Sequence, residues 1–104
     1  MLSQSNVLRG MIVIMANGIW VFNGVRSNFP SALFYELNDA ERWIQQNNLT
    51  GILTKYPVDI SVYDWAINKR YFQPNNSNHL TPDFIGRFSS AYLEHYHYEN
   101  GKRE

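Results

Sequence analysis

The residues with the clearest chemical potential lie near the C-terminus, in the stretch HYHYENG. His95, His97 and Glu99 are spaced two apart. If this stretch is a strand, alternation points these three side chains to one side and places Tyr96 and Tyr98 on the other. Two histidines and one carboxylate are the ligand set of a common type of non-haem iron site. A divalent-metal site at His95, His97 and Glu99 is therefore one hypothesis.

The competing interpretation is the polar face of a half-buried edge strand, and we favour it. Glu99 lies where such a strand should fray, and metal sites usually take ligands from several elements of a fold. The remaining histidine, His79, lies in a polar loop and is a further candidate ligand. We expect no cofactor apart from this alternative of a bound metal.

A second group with chemical potential is Tyr63-Asp64-Trp65, preceded by Lys55-Tyr56. Burial beside aromatic rings can raise the pKa of a carboxyl group and make it a general acid or base. The simpler interpretation places Asp64 in the first turn of a helix, where the helix dipole favours an anion, and Trp65 in the core. The sequence contains no nucleophile elbow and no glycine-rich phosphate loop. We assign no catalytic residue, and non-enzymatic function is favoured.

Aromatic residues are unusually abundant, with seven tyrosines, three tryptophans and six phenylalanines in 104 residues. A domain of this size cannot bury all of them, and tyrosine is enriched at protein interfaces. We therefore predict a partner-binding surface on the last strand, formed by Tyr92, Glu94, Tyr96 and Tyr98. The alternative is that these tyrosines are exposed only because tyrosine favours strands.

Composition excludes several classes of protein. The chain has no cysteine, which removes disulfides and thiolate chemistry and favours a cytoplasmic setting. Nine basic residues balance nine acidic ones and form no basic stripe, so we expect no nucleic-acid partner. The longest apolar run, residues 11–16, is too short to span a bilayer. A protein partner remains, including a second copy of the chain, and a toxin-neutralising (immunity-like) protein is one concrete version.

The pattern of elements predicts an α+β fold, a small, mostly antiparallel sheet with two or three short helices packed on one face. Asn38 should cap the first helix and form a capping box with Glu41. Asp59 or Ser61 should cap the second helix. Thr81-Pro82 should begin the third. The predicted strands are residues 18–22, 31–37, 50–56 and 92–99. The predicted core consists of Trp20, Phe22, Trp43, Ile44, Leu53 and Trp65.

Seven strings in their order along the chain resemble a small bacterial domain family of unknown function. They are IWVFNG (19–24), FPSALF (29–34), AERWI (40–44), LTGILTKYPV (49–58), VYDWAI (62–67), FIGRF (84–88) and HYHYENG (95–101). The resemblance implies a bacterial cytosolic domain and no activity, so it adds no site residues. Family members usually begin just before the first strand. This supports an N-terminal extension over residues 1–14 and a single domain over residues 15–104.

Overall fold

The computed structural model describes residues 18–104. The strands are β1 (Ile19–Gly24), β2 (Ala32–Phe34), β3 (Gly51–Tyr56), β4 (His95–Glu99) and β5 (Lys102–Arg103). The helices are α1 (Leu37–Gln46), α2 (Val62–Asn68) and α3 (Pro82–Gly86), with a 3-10 turn at Ser77–Leu80. The predicted N-terminal extension, residues 1–14, lies outside the described residues and stays a prediction.

The five strands form one antiparallel sheet in the order β2-β1-β3-β4-β5, which confirms the predicted α+β class. The register places Phe22 opposite Leu53, and Leu53 opposite Tyr96. Because directly opposed residues share a face, Trp20, Phe22, Leu53, Tyr96 and Tyr98 all lie on one side, here called the inner face. The outer face carries Val21, Ile52 and Thr54, together with the two histidines of β4.

Helix α1 covers the inner face and completes the main core. Its Ala40 and Ile44 are fully buried in one cluster with Trp20, Phe22, Leu53 and Tyr98. Complete burial of a large apolar side chain contributes about 1.5–3 kcal/mol. Four of the six predicted core residues are thereby confirmed: Trp20, Phe22, Ile44 and Leu53.

The two other predicted core residues are only half-buried. Trp43 packs at the margin of the cluster, with its ring centroid 5.4 Å from that of Phe22. Trp65 lies on α2, away from this cluster, and its ring centroid is 5.5 Å from that of Tyr71. The prediction that Trp65 belongs to the main core is therefore wrong.

Helix α1 begins earlier than predicted. Glu36 is its N-cap residue and makes no side-chain cap hydrogen bond, and Leu37 begins the helix and packs against the core. The expected capping box of Asn38 and Glu41 is therefore absent from this helix. Asn48 follows the helix with φ +51°, and Leu49 N donates to Ile44 O at 3.0 Å, which closes the last turn.

The segment from α2 to α3 builds a second, aromatic cluster from Tyr63, Phe72, Phe84 and Phe88. Their ring centroids lie 4.8–6.3 Å apart, and the Tyr63 hydroxyl donates to the backbone oxygen of His79 at 2.8 Å. Local capping chemistry is as predicted here. Ser61 Oγ accepts from Asp64 N, and Thr81 Oγ1 accepts from Phe84 N with Pro82 at the first helical position. Asp64 lies exposed in the first turn of α2, in agreement with its structural interpretation.

Strand boundaries differ from prediction at both edges of the sheet. β2 spans only three residues, and β4 begins at His95 rather than at Tyr92. The unpredicted β5 pairs with β4 through a tight turn at Asn100 and Gly101, which have φ values of +50° and +83°. Within residues 18–104, no helix has both the length and the apolar character that a membrane span requires.

Candidate binding site

Tyr98, one of the four predicted partner-contact residues, lies in the core. Its side chain is 3% exposed, and its hydroxyl donates to Glu41 Oε2 at 2.6 Å. The prediction of Tyr98 as part of a contact surface is wrong for this side chain. Alternation correctly put Tyr96 and Tyr98 on one side of β4, but that side is the one that α1 covers.

Glu41 connects α1 with the last two strands. Besides Tyr98, its Oε2 accepts hydrogen bonds from Nε of Arg103, at 2.8 Å, and from Nη2 of the same residue. The Arg103 guanidinium also lies 3.9 Å from the centroid of the Tyr96 ring. Burial, followed by the hydrogen bond to Glu41, raises the pKa of Tyr98 to about 12. This group connects α1 with β4 and β5.

Tyr96 lies at the end of the inner face and is half-buried. Its ring stacks on Trp20 with the centroids 5.8 Å apart, and its hydroxyl donates to Glu94 Oε2 at 2.5 Å. That hydrogen bond, followed by burial, raises the pKa of Tyr96. The Tyr96 hydroxyl therefore holds the Glu94 carboxylate in position, and only part of the Tyr96 ring is exposed.

Next to Glu94 the structure forms a cleft of about 300 Å³ between the sheet and α2, here called the tyrosine cleft. One wall comes from the ends of β3 and β4 and the other from α2 and the residues after it. The lining residues are Lys55, Pro57, Trp65, Lys69, Tyr71, Tyr92, Leu93 and Glu94. Two of the four predicted contact residues, Tyr92 and Glu94, are therefore brought together in this cleft.

A pair of stacked tyrosines dominates the cleft. The rings of Tyr71 and Tyr92 lie 4.1 Å apart with an angle of 7° between their planes, although the residues are 45% and 65% exposed. Trp65 packs against Tyr71 from the side of α2. Tyrosine offers apolar area with a polar tip, so this exposed pair is a candidate contact feature.

The charges of the cleft are mixed but predominantly positive. Lys55 and Lys69 line it together with the single carboxylate of Glu94. Lys55 Nζ lies 5.8 Å from the centroid of the Trp20 ring. Arg70 lines an adjoining hollow, of about 430 Å³, on which Tyr71 also borders. The ionisable side chains of the lining are thus two lysines, two tyrosines and one glutamate.

The predicted metal ligands lie on the outer face. His95 and His97 are exposed, with their ring centroids 5.4 Å apart. His95 Nδ1 lies 2.7 Å from Leu93 O, and since a carbonyl oxygen only accepts, Nδ1 is the donor and Nε2 is the nitrogen left to face a ligand. Glu99 does not complete the set: across residues 18–104, no three histidine, cysteine or acidic side chains are grouped to hold a metal ion. His79 lies in the aromatic cluster, where its Nδ1 accepts from Asn75 N.

Sequence reasoning missed Tyr71, Trp65 and Lys69 as site residues. The sequence predicted Trp65 as a core residue, whereas the structure places it in the wall of the cleft that α2 provides. The contact that defines the site, Tyr71 on Tyr92, joins residues far apart in the chain and has no local sequence signal.

The fold and the site define a small α+β domain with an open antiparallel sheet and a tyrosine-lined cleft beside it. The family model described as a domain of unknown function (DUF7710) matches residues 19–104, and the chain belongs to this family. The resemblance to a family of unknown function is thereby confirmed, whereas the bacterial origin stays a prediction. No curated protein and no solved structure matches the chain.

Proposed function

We propose that this domain is a non-enzymatic protein-binding module that contacts its partner through the tyrosine cleft. The observation that supports this proposal is the stacking of Tyr71 on Tyr92 at 4.1 Å while both remain strongly exposed. Rings that are already fixed lose little conformational freedom on binding, so more of the contact energy appears as affinity. Aromatic anchors of this kind carry most of the energy at protein interfaces.

This proposal revises the contact surface expected from sequence. Tyr92 and Glu94 remain part of the contact surface, and Tyr96 contributes indirectly by holding Glu94 through a hydrogen bond. Tyr98 leaves it because the residue is buried. Tyr71, Trp65 and the two lysines replace it. The surface therefore lies beside the sheet rather than across the tyrosine side of β4.

A toxin-neutralising, immunity-like protein of the bacterial cytoplasm is the concrete form of this proposal. Its support is the small cysteine-free chain, its balanced charge and the absence of a catalytic signature in the sequence. In this form the cleft would hold a segment of the toxin. A homodimer in which the cleft contacts a second copy is the other form, and size measurements of the purified protein separate the two.

The test is capture of a partner by variants of the cleft. We expect Tyr71→Ala/Tyr92→Ala to lose most of the partner that co-purifies with the wild-type chain from its native cells. Tyr35→Ala is the matched control, because Tyr35 is 63% exposed and does not line the cleft. Thermal melts should show the double variant folded. Equal capture by the double variant and the wild type would rule out the cleft as the contact surface.

A second candidate function, metal binding by the histidines of β4, is favoured by one observation. The Nδ1–H of His95 is held by Leu93 O, which is how ligating histidines are usually oriented, and His97 is adjacent. Such a site would have two protein ligands, without Glu99. Titration with Zn²⁺ at neutral pH should then show saturable binding. His95→Gln/His97→Gln should abolish binding while His79→Gln keeps it; no binding by the wild type would end this candidate.

A further inference from the structure

We infer that the partner offers the tyrosine cleft an acidic polypeptide segment with one large apolar side chain. This inference rests on the proposed function and adds the chemistry of the ligand. It follows from the charges around the cleft, from the limited space between its walls and from the orientation of the two rings.

The positive charges around the cleft have no carboxylate partner among residues 18–104. Lys55 and Lys69 line the cleft, and Arg70 lines the adjoining hollow. The ion pairs found within residues 18–104 join Arg42 to Asp39 and Arg103 to Glu41, and thus involve none of these three cations. The one acidic group of the cleft, Glu94, already accepts the Tyr96 hydroxyl. Charge complementarity therefore favours a ligand with carboxylates.

The size of the cleft limits the ligand to a narrow segment. A volume of about 300 Å³ is at the lower end of ligand pockets and fits one large side chain with its adjoining backbone. Trp65, Pro57 and the ring faces of the tyrosine pair provide the apolar contacts for that side chain. The lysines at the two walls then lie beside the flanking residues of the segment, where acidic side chains gain most.

A nucleic acid fits these features less well. Single strands are bound by a track of cations and by rings free to stack on bases. Here each of the paired rings already uses one face on the other ring, at 4.1 Å.

The first experiment selects ligands without assuming their charge. A phage-displayed library of short random peptides is bound to the immobilised full-length chain, with Tyr71→Ala/Tyr92→Ala as the counter-selection. We expect the sequences enriched only on the wild type to be acidic around one aromatic or large aliphatic residue. Cleft-dependent peptides that are neutral or basic would overturn the acidic inference and leave the proposed function standing. Failure to enrich any cleft-dependent peptide would count against both.

The second experiment measures the charge contribution with a synthetic acidic-aromatic peptide by fluorescence anisotropy. Lys69→Glu should weaken binding about two- to fivefold, and Lys55→Glu similarly, as expected for loss of an exposed ion pair. Lys102→Glu is the matched control, because Lys102 is exposed on β5 and lies outside the cleft. The same peptide with lysines in place of its acidic residues should bind Lys69→Glu better than it binds the wild type.

Two results would overturn the inference at this stage. One is an affinity for the acidic peptide that Lys102→Glu changes as much as Lys69→Glu does, which would indicate a general charge effect. The other is tighter binding of an oligothymidylate than of the peptide, with loss in the cleft variants, which would assign the cleft to single-stranded nucleic acid.

Discussion

Tyr98 stabilises this fold from a buried position. Its ring fills the main core, and its hydroxyl reaches Glu41, which also binds Arg103. A single carboxylate oxygen thus holds α1, β4 and β5 together. The neutral phenol is the form that this environment favours, because burial penalises the phenolate and Glu41 accepts a hydrogen bond from the hydroxyl.

Tyr98→Phe should change the pH dependence of stability at alkaline pH. Burial and Glu41 raise the pKa of Tyr98 from 10.0 to about 12 in the folded chain. Because folding raises this pKa, Tyr98 contributes its full stabilisation at pH values below the pKa of the unfolded chain. This stabilisation is lost as pH rises from about 10 to about 12. At about 1.4 kcal/mol for each pKa unit, the loss in the wild type amounts to roughly 2–3 kcal/mol.

The measurement is urea unfolding from about pH 8 to about pH 12, a range that includes the pKa of tyrosine in the unfolded and in the folded chain. The Tyr98→Phe variant should be about 1 kcal/mol less stable at neutral pH, through loss of the hydrogen bond. It should then lose less stability than the wild type at high pH. Tyr35→Phe, at an exposed position, is the control. Parallel pH profiles for Tyr98→Phe and the wild type would contradict this account of Tyr98.

The hairpin of β4 and β5 is the element that depends most on one backbone conformation. Asn100 and Gly101 both have positive φ, the pattern of a two-residue turn between antiparallel strands. Gly101 is buried, and a Cβ there would lie 3.2 Å from Asn48 Cα and 3.3 Å from Gln45 Cα. The turn therefore packs against the end of α1 at a place where only a hydrogen fits without adjustment.

We expect Gly101→Ala to destabilise the domain by more than about 1 kcal/mol. The left-handed conformation alone costs a non-glycine residue roughly 1–2 kcal/mol, and the contact with α1 adds to it. Gly86→Ala is the matched control, since a Cβ at Gly86 meets no atom within 4 Å. That variant should be neutral or up to about 1 kcal/mol more stable. Chemical denaturation of both variants checks the pair, and equal stabilities would show that the turn tolerates a side chain.

At the scale of the whole molecule, residues 18–104 contain two clusters of buried and half-buried side chains. The main core lies between the sheet and α1, and the aromatic cluster lies between α2 and α3. The tyrosine cleft is situated where these two parts meet, with Leu93 buried beneath it at 2% exposure. The shape of a cleft between two packed parts depends on both of them, and ligand sites are common at such positions.

We expect a chain that starts at Met15 to fold as the full chain does, since the family match begins at residue 19. Its melting temperature should lie within about 2 °C of the full-length value, which corresponds to less than ~0.5 kcal/mol. A chain that starts at Val21 is the control, because it lacks Trp20, a core residue only 5% exposed. A large loss of stability in the Met15 chain would show that residues 11–14 contribute to the fold.

The class of fold and much of the local chemistry could be predicted from the amino-acid sequence. Helix caps at Ser61 and Thr81 and the alternation of β4 could be predicted because each depends on residues within a turn or two of one another. The apolar anchors Trp20, Phe22, Ile44 and Leu53 could be predicted because hydrophobic periodicity marks the face that must be buried. Of the eight residues that line the cleft, two, Tyr92 and Glu94, were also predicted as contact residues.

Which face of β4 is covered, and which side chain packs against Tyr92, depends on the tertiary packing. Period-two alternation separates the tyrosines from the histidines, but it does not say which set a helix will cover. That choice follows from the path of α1 over the inner face, which buries Tyr98 and turns Glu41 from a cap into a partner for Arg103. The pairing of Tyr71 with Tyr92 likewise arises when α2 packs beside the sheet. Both are long-range contacts, and long-range contacts are set by the packing of whole elements rather than by local sequence.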